Sequence, residues 1–371
     1  MSSPARIRVG VVGASVRSWA AAAHLPALAH LDDFEVTAVA TTRAASAERA
    51  AAAFGARHAF TSATELANHP QVDLVVVSVR APGHADAIRP ALKAGKHVLS
   101  EWPLGVDLTE ATELAAEAEA AGMVHAVGLQ AFHSPSARFV RDLLAGGRVG
   151  RVDAVSLVAA GDPLGGSRIP QGLVWGADAA AGNTVLTIMA GHALAAVEYV
   201  TGEFVDLAAQ VTHRDDEVAV IETGERIRNT APSQVALIGR LAGGALGAVT
   251  IQGGSGPGPD SFTLRIAGTD GTLTITPDDP GHYPGWATWR VRATGADGTV
   301  TDLPLPDRYR TLPPGVPAGP AANVAAGYQE IARAIAEGRP ARPSFTTAVR
   351  YHRLLAAAAE SSRTGARQPV A

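Results

Sequence analysis

The stretch RIRVGVVGASVRSW (6–19) decides the fold. Its first half is apolar and β-branched at Val9, Val11 and Val12, so it reads as a strand over 6–12. Its second half, Gly13, Ala14, Ser15 and Val16, is a turn of small residues that opens into an alanine-rich helix over 20–30. The same alternation continues downstream. A strand is expected over 34–40, a helix over 44–54, and a strand over 72–79, where DLVVVSV (73–79) suits burial on both faces. A helix over 83–94 is capped by Gly95, and a strand follows over 96–100. A helix over 109–121 stops at Gly122, before a strand over 123–128. Strand–helix alternation of this kind predicts an α/β domain of the Rossmann type, a doubly wound parallel sheet.

The rhythm changes at Ser134, an N-cap with proline in the first turn of a helix over 134–145. A strand over 151–159, a Gly/Pro-rich loop over 161–172 and a long apolar helix over 185–200 follow. Strand-like runs then succeed one another without helices, at 205–213, 234–241, 245–252, 261–267, 271–276 and 288–293. They predict an α+β domain with an open, mostly antiparallel sheet. Gly/Pro-rich loops are expected at 253–259 and 303–320, and helices at 322–337 and 346–363. The expected organisation is a nucleotide-binding domain over 1–128 and an α+β substrate and oligomerisation domain over 129–345. The last segment, 346–371, is expected to pack back on the first domain.

Composition narrows the chemistry. The 371 residues fit about two domains, and 47% hydrophobic with 18% charged residues supports a large core. A net charge of −4 argues against a polyanion-binding surface over the whole chain, so nucleic acid is not an expected partner. Cysteine is absent, which excludes disulfides, thiolate nucleophiles and cysteine-ligated metal. No metal site is expected: the histidines are scattered and no H-E-x-x-H pair occurs. No G-x-S-x-G elbow follows a strand, which removes the serine-hydrolase reading. Neither a signal peptide nor a membrane span is expected, and a cytoplasmic location is the default. Of the 31 basic residues only Lys93 and Lys96 are lysines, so lysine chemistry has two candidates at most.

The turn after the first strand must be tight enough for backbone amides to reach a pyrophosphate. Gly13 holds the first position of the G-x-G-x-x-G fingerprint, and Ser15 and Ser18 replace the other glycines. Alone this motif is weak, and a ligand-free strand-to-helix turn is the alternative. The second expected strand ends in Thr41, Thr42 and Arg43, without the acidic residue that reads the ribose hydroxyls of NAD. Two hydroxyls and an arginine suit a 2′-phosphate, which favours NADP, with NAD the alternative cofactor; a solvated arginine at a helix start explains Arg43 equally well.

HLPAL (24–28), DLVVVSV with His84 after it, and ALKAGKHVLSEWPL (91–104) together resemble the glucose–fructose oxidoreductase / inositol dehydrogenase / MocA family. The resemblance covers most of the chain, GTDGTLTI (268–275) included. It implies a nicotinamide-dependent oxidoreductase acting on a sugar, polyol or related carbonyl compound. Two departures stand out. Family enzymes carry Glu-Lys-Pro where this chain has Glu101, Trp102 and Pro103, and an indole cannot move the proton that a lysine can. They often carry aspartate four residues before the catalytic histidine, where Ile188 precedes His192. These departures, with LQAFHSPSARFVRDLLAGGRVGRV (129–152) and GHALAAVEYVTG (191–202), are similar to the family branch that includes the fungal galactose/lactose metabolism regulatory protein.

The resemblance places His192 as the proton-exchanging residue, with a satisfied helix histidine as the alternative. It places Glu101 at the cofactor ribose and Gln130 near the nicotinamide amide. Trp102 is expected to stack on the nicotinamide or close the pocket, or else to be a core aromatic. Ser78, Arg80 and His84 follow the third expected strand, at the edge where dinucleotides bind, though a helix cap and surface charge account for them as well. Asp178 and Asn183 are candidates for orienting a polar substrate. Two function classes remain: an oxidoreductase, or a dinucleotide-binding sensor or transcriptional-regulatory protein without turnover. The expected partners are a sugar-like small molecule and further copies of the chain, as a dimer or tetramer; under the second class a protein partner is added.

Overall fold

The computed structural model describes residues 6–161, 164–256, 258, 261–279 and 282–370. The parts of the two expected Gly/Pro loops at 162–163, 257 and 259 lie outside them. Among the described residues no helix is long and apolar enough to cross a membrane. The chain divides into two units, Met1–Leu129 with Thr311–Val349, and Gln130–Arg310 with Arg350–Ala371.

In the first unit, β1 (Ile7–Val12) leads through a wide helical turn (Ala20–His24) into the short α1 (Leu25–Leu28). Then come β2 (Phe34–Ala40), α2 (Ala44–Phe54), β3 (His58–Phe60), α3 (Ala63–Asn68), β4 (Leu74–Val77) and α4 (His84–Lys93). β5 (His97–Ser100), α5 (Leu108–Ala121) and β6 (His125–Val127) complete the alternation. All neighbours pair in parallel, in the order β3-β2-β1-β4-β5-β6. The chain reverses direction across the sheet between β1 and β4, so a crevice opens there at the strands' carboxyl ends. Local signals define the helices. Asp107 caps α5 by accepting from the Glu110 amide at 2.9 Å, and Gly122 ends it in a left-handed conformation.

The second unit holds α6 (Pro135–Ala145), β7 (Val152–Gly161), β8 (Arg168–Ile169), a widened turn (Val185–Ala190) and α7 (Gly191–Thr201). β9 (Phe204–Thr212), β10 (Glu217–Val220), β11 (Arg226–Arg228), β12 (Gln234–Leu241) and β13 (Leu246–Gly253) follow. β14 (Phe262–Gly268), β15 (Gly271–Pro277), β16 (Trp289–Gly295) and β17 (Val300–Leu303) come next. With β18 (Gln368–Pro369) they form a nine-stranded sheet ordered β17-β16-β15-β14-β7-β13-β12-β9-β18, antiparallel except for β7 beside β13. A small sheet, β11-β10-β8, sits on its own core of Ile169, Ala177, Val218 and Val220. On the main sheet burial alternates with a period of two, so Leu237 and Val249 are buried while Ile238, Leu246 and Val158 are exposed on the other face.

The domain boundaries need correction. The expected second domain ran to 345, yet α8 (Pro320–Glu337) packs its stripe of Val324, Ala325, Tyr328 and Ile331 into the core formed by Val9, Leu25 and Phe34 of the first unit. The last segment is divided: its first residues, through Val349, belong to the first unit, where the Thr346 hydroxyl donates to the Glu119 carboxylate at 3.1 Å, and the rest belongs to the second. α9 (Phe345–Thr364) crosses the unit boundary, and its later residues belong to the second unit. There the Ser361 hydroxyl accepts from the Ala209 amide at 2.9 Å, and β18 extends the sheet beside β9.

Candidate functional site

At the end of β1, Gly13 has φ +90°, and a Cβ there would lie 2.2 Å from the Ser78 carbonyl oxygen. Only glycine lets the turn pass so close to the end of β4. The Gly13 and Ala14 amides donate to the Ala40 carbonyl at 2.9 and 3.3 Å, binding the turn to β2 as well. Ala14 is fully buried, whereas Val16 at the tip is 47% exposed. Ser18 is occupied locally. Its hydroxyl donates to the Ser15 carbonyl at 2.6 Å and accepts from the Ala21 amide at 3.3 Å, capping the helical turn that follows.

Ser78 lies directly against this turn, 8% exposed, its amide donating to the Val12 carbonyl at 2.9 Å, and its hydroxyl is buried without a hydrogen-bond partner among the described residues. A buried orphan hydroxyl beside a glycine cradle at the sheet's switch point fits the phosphates of a dinucleotide. Thr41, Thr42 and Arg43 stand at the end of β2. Thr41 donates its hydroxyl to the Arg43 carbonyl at 3.1 Å, while Thr42 and Arg43 are exposed. Arg80 is exposed at the start of the turn before α4.

His84 opens α4. It is 1% exposed, with Nε2 3.1 Å from the Val79 carbonyl and Nδ1 3.2 Å from the Leu104 carbonyl and 3.3 Å from the Ser100 hydroxyl. Burial lowers its pKa, so the ring is neutral. Both nitrogens are occupied by the protein. His84 therefore ties the loop after β4 to the loop after β5.

Glu101 follows β5 and is 9% exposed. Its Oε1 is 2.8 Å from His24 Nε2, and His24 Nδ1 is 2.8 Å from the Tyr328 hydroxyl. Trp102 is only 4% exposed, so its indole has the burial of a core aromatic.

In the second unit His192 is 6% exposed on α7, immediately after the widened turn Val185–Ala190, a helix irregularity frequent at functional sites. Thr184 and Thr187 fix the start of that turn with a reciprocal capping box. Trp286 meets the His192 ring edge-on at 6.2 Å between centroids, and Tyr283 packs on Trp286 at 5.6 Å. The Tyr283 hydroxyl donates to the Met189 carbonyl at 2.8 Å. A Cβ at Gly285 would lie 3.4 Å from His192 Nδ1, so this glycine packs directly on the imidazole. Asn183 is buried and Ile188 half-buried in the same segment, and Gln130 is 3% exposed. Asp178 precedes this segment in the chain. It is exposed, and its carboxylate accepts from the Ala180 amide at 3.0 Å, capping the turn Ala179–Ala181.

Sequence reasoning missed Tyr328 and the loop residues Tyr283, Gly285 and Trp286. The string HYPGW (282–286), with two aromatics in a glycine-containing loop, was the available signal. Among the described residues no cluster of acidic or histidine side chains suits a metal ion.

Comparison with known proteins places the chain in a family. Residues 7–129 match the oxidoreductase family model with an NAD-binding Rossmann fold, GFO_IDH_MocA, and residues 135–277 match the Gal80p C-terminal domain model. Dehydrogenase aclE of Aspergillus oryzae is 30% identical over 251 residues, which is 64% of this chain and 67% of that protein. The galactose/lactose metabolism regulatory protein GAL80 of Saccharomyces cerevisiae is 25% identical over 296 residues, 74% of this chain and 67% of that one. A levoglucosan dehydrogenase solved with NADH and L-sorbose has the same fold, with a TM-score of 0.85 at 20% identity, covering 99% of both chains.

Proposed function

The chain belongs to the Gfo/Idh/MocA oxidoreductase family, with a C-terminal domain of the Gal80p type, and from that premise we propose that it is an NADP-dependent oxidoreductase acting on a sugar, polyol or related carbonyl compound. The observation that carries the reading is the Gly13 turn, packed against the Ser78 backbone at the switch point of a Rossmann sheet, together with the buried, unpartnered hydroxyl of Ser78. Gly13, Ala14, Ser15 and Val16 hold the pyrophosphate. Thr41, Thr42 and Arg43 receive the adenosine ribose and its 2′-phosphate, and the guanidinium supports the choice of NADP over NAD. Glu101 binds ribose on the nicotinamide side, Gln130 meets the nicotinamide amide, and Trp102 walls the site. A nicotinamide dinucleotide, when bound, supplies or accepts the hydride. His192 takes the proton of the substrate hydroxyl as hydride leaves the same carbon, and returns it in the reverse direction. Trp286 and Gly285 hold that ring in place from one side.

A second reading, a dinucleotide-binding sensor without turnover, is favoured by two particulars. Trp102 occupies the family's lysine position and Ile188 its aspartate position, so proton transfer rests on His192 alone. GAL80 among the relatives is described as a regulatory protein. The outer face of the large sheet, where Val158, Ile238 and Leu246 are exposed, supports self-association under either reading. Purifying the protein and identifying any dinucleotide that remains bound tests the shared premise. NADP in the extract supports the cofactor choice, and failure to retain or bind either dinucleotide overturns both readings.

A further inference from the structure

Glu101 is held from two sides by groups that no cofactor needs to touch. His24, the first residue of the HLPAL string, is fully buried and ends the widened helical turn after β1. Tyr328 lies on α8, fully buried, with its ring edge on Phe34 at 5.2 Å between centroids. Burial, reinforced by the Glu101 charge, raises the Tyr328 pKa well above the ordinary value, so the phenol keeps a proton to donate. His24 bridges the two: Nε2–H donates to Glu101 Oε1, and Nδ1 pairs with the Tyr328 hydroxyl, each at 2.8 Å. On the other side stands Gly128, where a Cβ would fall 2.7 Å from Oε1 and 2.8 Å from Oε2. The carboxylate is thus confined between a ring and a bare backbone.

Sheet order says which part of a dinucleotide this carboxylate serves. The adenosine ribose is read at the end of β2, on one side of the switch point. β5 lies two strands from β1 on the opposite side, in the half that takes the nicotinamide nucleotide. A ribose diol is recognised by paired hydrogen bonds, which demand placement within about 0.5 Å. A carboxylate on a free loop would lose that placement, and a rigid buried donor restores it.

We propose that His24 and Tyr328 are positioning residues, which through one hydrogen-bonded chain fix the Glu101 carboxylate for the ribose of a bound nicotinamide nucleotide. The proposal rests on the reading of Glu101 as a ribose contact. His24 and Tyr328 touch neither substrate nor cofactor and act through Glu101. The HLPAL and HVLSEWPL strings, 77 residues apart at His24 and Glu101, are two halves of one device.

The test compares the whole protein with Tyr328→Phe, His24→Gln, Glu101→Gln and the double variant E101Q/Y328F. Each is titrated with NADP and with the fragment adenosine 2′,5′-bisphosphate, and melting curves verify folding. Tyr328→Phe keeps the ring, and therefore the packing on Phe34, so it remains informative if His24→Gln fails to fold. The expected result is that Tyr328→Phe weakens NADP binding roughly three- to tenfold, leaves the fragment's affinity unchanged, and adds no further loss to Glu101→Gln. The proposal is overturned if Tyr328→Phe leaves NADP affinity intact while Glu101→Gln lowers it, if the loss persists in full beside Glu101→Gln, or if fragment binding falls in step. Wild-type NADP affinity in Glu101→Gln removes the ribose reading itself, and the positioning role falls with it.

Discussion

His24 Nε2 lies 2.8 Å from Glu101 Oε1 inside the first unit, with the imidazole fully buried and the carboxylate almost so. The contact joins the helical turn after β1 to the loop after β5. It turns Glu101 from an acidic residue near a site into one whose direction is set by the protein.

Gly128→Ala tests how tightly that direction is set. The new Cβ meets both carboxylate oxygens within 2.8 Å, so Glu101 must rotate or the backbone must shift. We expect a stability loss of roughly 1–3 kcal/mol together with weaker dinucleotide binding. Unchanged NADP affinity in a folded Gly128→Ala protein would show that the position of Glu101 does not matter to the cofactor.

Arg43→Ala tests the choice of cofactor. Arg43 is exposed at the end of β2, where a 2′-phosphate is read. Removing the guanidinium is expected to weaken NADP binding about tenfold, roughly 1.4 kcal/mol, while NAD binding stays the same. An equal effect on both dinucleotides, or none on either, would assign Arg43 to the solvated helix start.

Glu198 predicts a pH dependence of stability. Burial raises its carboxyl pKa to about 7, against the pull of Arg350 at 2.8 Å. In the unfolded chain the group titrates near its ordinary value of about 4.3. Between those two values the folded protein binds a proton that the unfolded chain has released, so this group's contribution falls as pH rises through the window and levels off above it. Wild-type protein should lose on the order of 2 kcal/mol relative to Glu198→Gln between about pH 5 and about pH 8. Parallel stability curves for the two proteins would contradict this account.

Ile238→Glu probes self-association. Ile238 is 57% exposed on β12 of the large sheet and pairs across to Ala248 and Ala208. In a two-fold interface the same patch meets itself, so one substitution introduces two facing charges. Sedimentation should show an oligomer for the wild type and a monomer for the variant. A wild-type monomer at micromolar concentration, or an unaffected oligomer, would remove this face as the interface.

Local pattern made much of the first unit legible. The expected segments 34–40 and 44–54 coincide with Phe34–Ala40 and Ala44–Phe54, because β-branched runs and alanine-rich stretches declare themselves without tertiary help. Short elements such as His58–Phe60 and Arg168–Ile169 carry too few residues to show a period. The stripe on α8 was readable as a helix, but periodicity says which face is buried and not against what. Its partners Val9 and Phe34 lie some three hundred positions away in the chain. The same limit applies to the site. The expectation at Gly13 came from its turn, and that at Glu101 from the family string. That His84 spends both nitrogens on carbonyls and a hydroxyl, or that Tyr328 backs His24, depends on long-range packing that leaves no local mark.

The most direct measurement of the central claim is turnover. The purified protein is incubated with NADP, and separately with NAD, against a broad panel of sugars, polyols and their carbonyl counterparts, while absorbance of the reduced nicotinamide is followed. Turnover with NADP is expected on at least one member, reduced about a hundredfold or more in His192→Ala with dinucleotide affinity unchanged. Tight NADP binding with no turnover across the panel would contradict it and leave the regulatory reading in its place.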